Sequence, residues 1–359
     1  MAPLSLAGYE AAARAALSAP VWDFLAGASG TESMPIAARA ALDRLRLRPR
    51  CLVDVSEPDP RTTLFGAPLA APLAVAPMAY HRLAHPEGEV ATARAAGEVG
   101  ALFTVSMFAS RTLEDIAAAT TAPLWLQLYW LRDREQLVEL VGRAEAAGYR
   151  ALVLTVDAPR VARRYRDIRN GFTVPDGISA VNVAPALMSA SHQERAGASA
   201  IARHSREQFD ASITWADLAW LQERSSLPLV LKGVLTAEDA VLAAEHGVQA
   251  IVVSNHGGRQ LDFAVPAADA LPEISDAVAG RCRIIFDGAV RYGADIARAL
   301  CLGADAVMVG RPVLWGLSHS GSAGAAAVLR LLIDEFEEVM ALMGLPGVSD
   351  FGPAGVSRS

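Results

Sequence analysis

The most chemically suggestive stretch of the 359-residue chain is Ser254-Asn255-His256-Gly257-Gly258-Arg259-Gln260-Leu261-Asp262. A histidine beside glycines can meet a ligand without steric obstruction and act as a general base. Arg259, three residues on, carries the forked donor that grips a carboxylate. Together they suit removal of a proton from an anionic substrate. A lone histidine more often serves structure, but this arginine and these glycines weigh against that reading. Two further segments have the composition of an anion site: Asp287-Gly288-Ala289-Val290-Arg291 and Val309-Gly310-Arg311-Pro312. Small residues let backbone N–H groups approach an anion, and each arginine adds donors. Turn glycines beside surface arginines would read the same way. Alone, these segments suggest a phosphorylated ligand without saying which.

The elements that must position these residues repeat one pattern. Short apolar runs end in a polar, Gly or Pro residue and are followed by Ala-rich amphipathic segments. The runs are 73–77, 101–106, 124–128, 151–157, 227–232, 250–256, 284–287 and 306–310. Near-continuous apolar runs of this length read as parallel strands buried on both faces. Helix candidates between them cover 87–100, 134–148, 237–247 and 293–303, and several end in glycine. Eight strands alternating with helices predict an α/β fold, a TIM (β/α)8 barrel, rather than an open doubly wound sheet. No G-x-G-x-x-G follows the first strand, which further weakens a Rossmann reading. The expected organisation is an N-terminal helical extension over 1–65, a barrel over 66–345 and a tail over 346–359. The longest interruption, Asn170 to Thr214, reads as an extended, mobile loop after strand four, on the active face.

In such barrels the site forms at the C-terminal strand ends. Those ends carry Ser106, Gln127, Tyr129, Thr155, Asp157, Lys232, Ser254, His256, Arg259, Asp287 and Arg311. Any one of them could be a solvated rim residue or half of an ion pair; their convergence on one rim carries the argument. Composition narrows the rest. A net charge of −7 and pI near 5.6 argue against a nucleic-acid partner. Cys51, Cys282 and Cys301 show neither metal-type spacing nor a disulfide framework, so no metal is expected. No run reaches the ~18 apolar residues of a membrane span and no signal peptide is evident, so the expected setting is the cytoplasm.

The segment 254–262 resembles the signature of the FMN-dependent 2-hydroxy acid oxidase and dehydrogenase family, which includes glycolate oxidase, lactate oxidase and mandelate dehydrogenase. Matching blocks at 48–59, 76–89, 126–134, 154–172, 227–240, 286–304 and 309–312 extend the resemblance from about Tyr9 to Met343. The blocks VWDFLAGASGTE and APMAYHRLAHPEGE look most like the 4-hydroxymandelate oxidase branch. The resemblance implies FMN as cofactor, His256 as base and Asp157 as its carboxylate partner. It implies Arg164 and Arg259 on the substrate carboxylate, Tyr129 nearby, and Lys232 beside the flavin. It further places Ala76, Pro77, Met78, Ala79, Ser106, Gln127, Thr155 and Ser254 against the flavin and ribityl chain. Asp287, Gly288, Arg291, Gly310 and Arg311 fall at the ribityl and phosphate end.

Departures from the family pattern bear on the substrate. Phe24 stands where the family usually has a tyrosine, and Phe108 where glycolate-type members have tryptophan. Both suit an aryl 2-hydroxy acid of S configuration. Ala289 replaces a usual glycine, a change expected to be tolerated. Ala79 matches the residue typical of oxidases, so O2 is the expected acceptor and H2O2 the product. A homo-oligomer, tetrameric in the family, is the implied assembly. The alternatives are a short aliphatic acid such as lactate or glycolate, or a barrel of another class: a flavin-dependent isomerase or a non-catalytic FMN binder.

Overall fold

The computed structural model describes residues 3–183 and 207–358. Eight parallel strands close into a barrel: β1 (Leu73–Val75), β2 (Leu102–Ser106), β3 (Leu124–Leu128), β4 (Leu152–Thr155), β5 (Leu229–Val234), β6 (Ala250–Ser254), β7 (Arg283–Asp287) and β8 (Ala306–Val309). Each follows its neighbour around the ring, and β8 pairs with β1. All eight expected strands are present. β2, β3 and β6 are buried at every residue, as strands covered on both faces must be.

The helices among the described residues are α1 (Leu6–Ala16), α2 (Ala19–Ala26), α3 (Ser33–Asp43), α4 (Glu89–Val99), α5 (Leu113–Ala118), α6 (Arg134–Ala146), α7 (Tyr165–Arg169), α8 (Asp217–Gln222), α9 (Ala237–Glu245), α10 (Ala267–Val278), α11 (Gly293–Cys301) and α12 (Arg311–Met343). Local chemistry starts several of them. The Thr112, Asp133 and Thr236 side chains each accept from a backbone N–H of the first turn of α5, α6 and α9. Between β4 and β5 the centre of the Asn170–Thr214 segment lies outside the described residues.

A hairpin of Thr62–Leu64 and Ala67–Leu69 closes the N-terminal end of the barrel. Phe65 stacks on Trp125 at 5.2 Å, and Leu64 and Leu69 pack with the inward residues Leu102, Trp125, Val153, Val252 and Met308. The end of the chain is paired as well: Val356–Arg358 runs antiparallel to Leu45–Leu47.

The N-terminal helices dock onto the C-terminal rim. The Asp262 carboxylate accepts from Thr31 N and Oγ1, Ser33 Oγ and Met34 N, at 2.8 to 3.1 Å. Deeper in, Arg39 of α3 forks onto the fully buried Asp295 of α11 at 2.7 and 2.8 Å, and one of its nitrogens also donates to Ala289 O. Asp295 accepts besides from Arg298 and from the backbone N–H of Arg291 and Tyr292. One carboxylate therefore holds both α3 and the chain after β7. Asp295→Ala leaves two guanidiniums and two backbone donors without it and is expected to cost about 3–5 kcal/mol. Urea unfolding measures this, and a loss below about 1 kcal/mol contradicts the assigned anchor.

Candidate active site

Register explains which side chains meet. Ser106 pairs with Gln127, Thr155 with Lys232, and Ser254 with Asp287, so three pairs of strand-end polar residues ring one rim. Their side chains are linked. Ser106 Oγ donates to Gln127 Oε1 at 3.0 Å and Gln127 Nε2 to Thr155 Oγ1 at 3.1 Å. Lys232 Nζ donates to Ser254 Oγ at 2.9 Å and to Asp287 Oδ2 at 2.8 Å, and Ser254 Oγ donates to the same oxygen at 2.6 Å.

Above this floor opens a cleft of about 1330 Å³, its open mouth included. Of the residues expected at a site, Phe24, Ala76–Ala79, Ser106, Phe108, Gln127, Tyr129, Thr155, Arg164, Lys232, His256, Arg259, Asp287, Gly288, Arg291, Gly310 and Arg311 line it. Asp157 and Ser254 stand just behind. Asp157 Oδ1 lies 2.8 Å from His256 Nδ1, while Ser254 sits under Lys232 and accepts from His256 N at 3.0 Å. With Nδ1 engaged by a carboxylate, Nε2 is the ring nitrogen left for proton transfer.

Sequence reading missed several participants. Phe209, Tyr80, Val161 and Leu314 also line the cleft. Phe209 is brought there by a short antiparallel bridge to Leu131, with Asp210 N donating to Trp130 O. Gly233 was hidden because the expected strand ended at Lys232, whereas β5 continues to Val234 through a register shift. Its φ is +110°, and a Cβ there would lie 2.5 Å from the Asp157 side chain. Only glycine leaves room for the carboxylate that faces His256. Three non-glycine residues of the lining have left-handed backbone: Tyr80, His256 and Ala289 at φ 57°, 57° and 56°. For Ala289 this accounts for glycine being the usual residue, and the strain is worth about 1–2 kcal/mol. Such strain concentrates at functional sites.

Charge is the defining feature. Arg164, Lys232, Arg259, Arg291 and Arg311 line the cleft, against Asp287 as the lining carboxylate. Burial lowers the pKa of Lys232, but Asp287 and Asp157 outweigh it and hold the ammonium above its usual value. Burial favours neutral Asp287, but Lys232 and Ser254 hold it below the usual range, so the pair is ionised. The arginines fare differently. Burial, then the charges of Arg164 and Arg311, pull Arg259 well below its usual value. Burial and the charge of Arg291 bring Arg311 down to about 10, still cationic near neutrality. Burial lowers Arg164 and Arg291 likewise. Anions in the cleft would relieve all four.

Backbone carbonyls aim two of these guanidiniums. Arg259 Nη1 donates to Phe24 O and Gly27 O, both at 2.8 Å, with the Phe24 ring 5.2 Å away. Arg311 Nη2 donates to Gly27 O at 3.0 Å and Gly257 O at 2.8 Å, and its Nε to Leu25 O. The C-terminal end of α2 is thus the negative partner of both. At the other end of the cleft, Gly310 precedes Arg311, the first residue of α12, so a helix N-terminus adds to the anion site. A donor set of this kind fits FMN: the loops after β7 and β8 for the phosphate, the Ser106–Gln127–Thr155 floor for a polar ring edge, and a second cationic pair left for a carboxylate.

A family model described as FMN-dependent dehydrogenase matches residues 13–358. The chain is 47% identical to 4-hydroxymandelate oxidase of Amycolatopsis orientalis, over 97% of this chain and 96% of that protein. It is 45% identical to L-lactate oxidase of Nostoc sp., over 97% and 96%, and 41% identical to glycolate oxidase of Spinacia oleracea, over 98% and 93%. Mandelate oxidase solved with (S)-4-hydroxymandelic acid superposes with a TM-score of 0.94 at 46% identity, covering 97% of each chain. The fold, the cationic cleft and these likenesses agree: the chain belongs to the FMN-dependent dehydrogenase family and is an FMN-dependent 2-hydroxy acid oxidase.

Proposed function

We propose that the substrate is an aryl (S)-2-hydroxy acid of the mandelate or 4-hydroxymandelate type, oxidised to the 2-oxo acid while O2 becomes H2O2. One observation carries the aryl reading. Phe24, Phe108, Tyr129 and Phe209 line the cleft on the side that holds Arg164 and Arg259. Tyr129 and Phe209 stack at 4.6 Å, Phe108 lies 5.6 and 6.1 Å from them, and Phe24 is backed by Phe172 at 4.5 Å. A phenyl ring seated there, in place of a methyl group, gains roughly 1–3 kcal/mol. The relative named 4-hydroxymandelate oxidase and the neighbour solved with (S)-4-hydroxymandelic acid support the same reading.

In this mechanism Arg164 and Arg259 grip the carboxylate by charge-assisted forks, and Tyr129 caps the polar edge. Burial and the charge of Asp157 push the Tyr129 hydroxyl above its usual pKa, so it acts as a donor and not as an anion. Three fixed contacts around the alpha carbon select one hand. His256 Nε2 takes a proton from the substrate, and Asp157 on Nδ1 stabilises the imidazolium that results. Bound FMN supplies the two-electron acceptor. Lys232, held cationic against Asp287, and Arg291 with Arg311 place positive charge where the cofactor carries negative charge. The substrate loses two hydrogens in all and O2 gains them, so the reaction balances without another co-reactant.

A second reading has its own support. The relative named L-lactate oxidase is 45% identical, and the same arginines and histidine would serve a methyl side chain. Comparing kcat/KM for (S)-mandelate, (S)-4-hydroxymandelate, lactate and glycolate decides between them. The expected outcome is at least a tenfold preference for the aryl acids, the smaller end of the ring-burial difference; a tenfold preference for lactate or glycolate refutes the aryl reading. A separate variant tests the base. His256→Asn should retain FMN yet lose substrate-driven flavin bleaching by at least about a hundredfold under anaerobic stopped flow. Bleaching at the wild-type rate would assign the base elsewhere.

A further inference from the structure

Part of the 76–89 block does no work in the mechanism above. Its start lines the cleft with Ala76–Tyr80, but its end, His85-Pro86-Glu87-Gly88-Glu89, does not reach the lining. Glu89 is the first residue of α4 and has no exposed surface. Its carboxylate is met by donors from two loops. Oε1 accepts from His81 N at 2.8 Å and from Ser110 N at 2.9 Å, and Oε2 accepts from Ser110 Oγ at 2.8 Å. His81 follows Tyr80 in the loop after β1, and Ser110 lies two residues beyond Phe108 in the loop after β2. Tyr80 and Phe108 both line the cleft, and Phe108 belongs to its aryl side.

The two loops have other ties as well: Arg111 Nε donates to Glu87 O at 3.2 Å and its Nη2 to Pro86 O at 2.9 Å. Tyr80 N donates to Phe108 O at 3.2 Å and Arg82 N to Ser110 Oγ at 3.1 Å. An ionised carboxylate suits three donors, whereas a protonated one would set its own O–H against one of them. The N-terminus of α4 adds favourable potential, and charge-assisted bonds are about twice as strong as neutral ones. Gly88 allows the approach. Its φ is +58°, and a Cβ there would lie 2.7 Å from Arg82 Cγ and 3.2 Å from both Arg82 N and Ser110 Oγ. Tyr80 itself has left-handed backbone, φ 57°, so surrounding contacts must hold it there. His81 does not compete for the charge: burial pushes its pKa below the usual value, and its Nδ1 is engaged with Thr92 Oγ1 at 2.9 Å.

We infer that Glu89 is a positioning residue for substrate selection, a buried anion that ties the Tyr80 loop to the Phe108 loop and so sets the width of the aryl side of the cleft. It touches neither substrate nor cofactor. The inference deepens the aryl reading and rests on it. The test compares holoenzymes of wild type, Glu89→Gln, Ser110→Ala and the double variant. kcat/KM for (S)-mandelate and for glycolate is measured with FMN content and Tm. Glutamine keeps the length of glutamate but replaces one carboxylate oxygen with an NH2 and removes the charge. Ser110→Ala removes one of the three bonds to Glu89 together with the bond that Ser110 Oγ accepts from Arg82 N.

The mandelate-to-glycolate ratio should fall about tenfold in Glu89→Gln, as displacing a ring wall by a fraction of an ångström does. It should fall in Ser110→Ala as well, since that variant cuts a bond to Glu89 and the Arg82 tie to the same hydroxyl. The double variant should fall by less than the product of the two, because both cut the same brace. FMN content should match wild type. A ratio unchanged in both variants while Tm drops shows a purely structural role and overturns the inference. So does an equal loss for both acids. If Glu89→Gln does not fold, Ser110→Ala decides alone, and an unchanged ratio overturns the inference. The wild-type ratio tests the aryl reading separately, since the brace is judged by the change from wild type to variant.

Discussion

Burying four guanidiniums and an ammonium around one cleft is the constraint to which the rest of the molecule answers. Isolated charges of this kind cost several kcal/mol each to take out of water. Lys232 is matched by Asp287, but Arg164, Arg259, Arg291 and Arg311 crowd one another, and burial holds each below its ordinary pKa. The protein offsets part of that cost with dipoles. The carbonyls that end α2 accept from both Arg259 and Arg311, and Gly27 O is shared by the two. The remaining cost falls when a phosphate and a carboxylate enter. The N-terminal helices are therefore part of the site, although none of their residues supplies a charged group to the lining.

The barrel is the frame that makes this crowding workable. Its register sets Ser106 beside Gln127, Thr155 beside Lys232 and Ser254 beside Asp287, which gives a polar floor with the cations above it. Three of the left-handed non-glycine residues, Tyr80, His256 and Ala289, lie on the rim of the cleft, where surrounding contacts over-determine the backbone. Below the floor the Thr62–Leu69 hairpin packs against the inward residues at the other end of the barrel.

Much of this was legible in the sequence. The eight strands, the helices that follow them and the side chains at their ends obey period and composition rules that act locally. What local rules could not reveal depends on distant pairing. The residue that leaves room for Asp157 is Gly233, and it matters only because β5 shifts register there. Phe209 follows a long segment and reaches the cleft through a bridge to Leu131. Arg259 and Arg311 were read as ligand groups, and nothing in their own neighbourhoods announced that the backbone of α2, some 230 and 285 positions earlier, would aim them. Glu89 looks like an ordinary helix-start acid, and its burial between two loops emerges only once those loops are placed.

The surplus of buried positive charge is there to hold an anionic cofactor. Binding of FMN and of riboflavin to flavin-stripped protein, followed by quenching of flavin fluorescence, measures this directly, since the two differ only in the phosphate. With Arg291 and Arg311 each contributing about 1.5–3 kcal/mol in charged hydrogen bonds, FMN should bind at least about a hundredfold more tightly. Equal affinity for the two flavins would contradict the account.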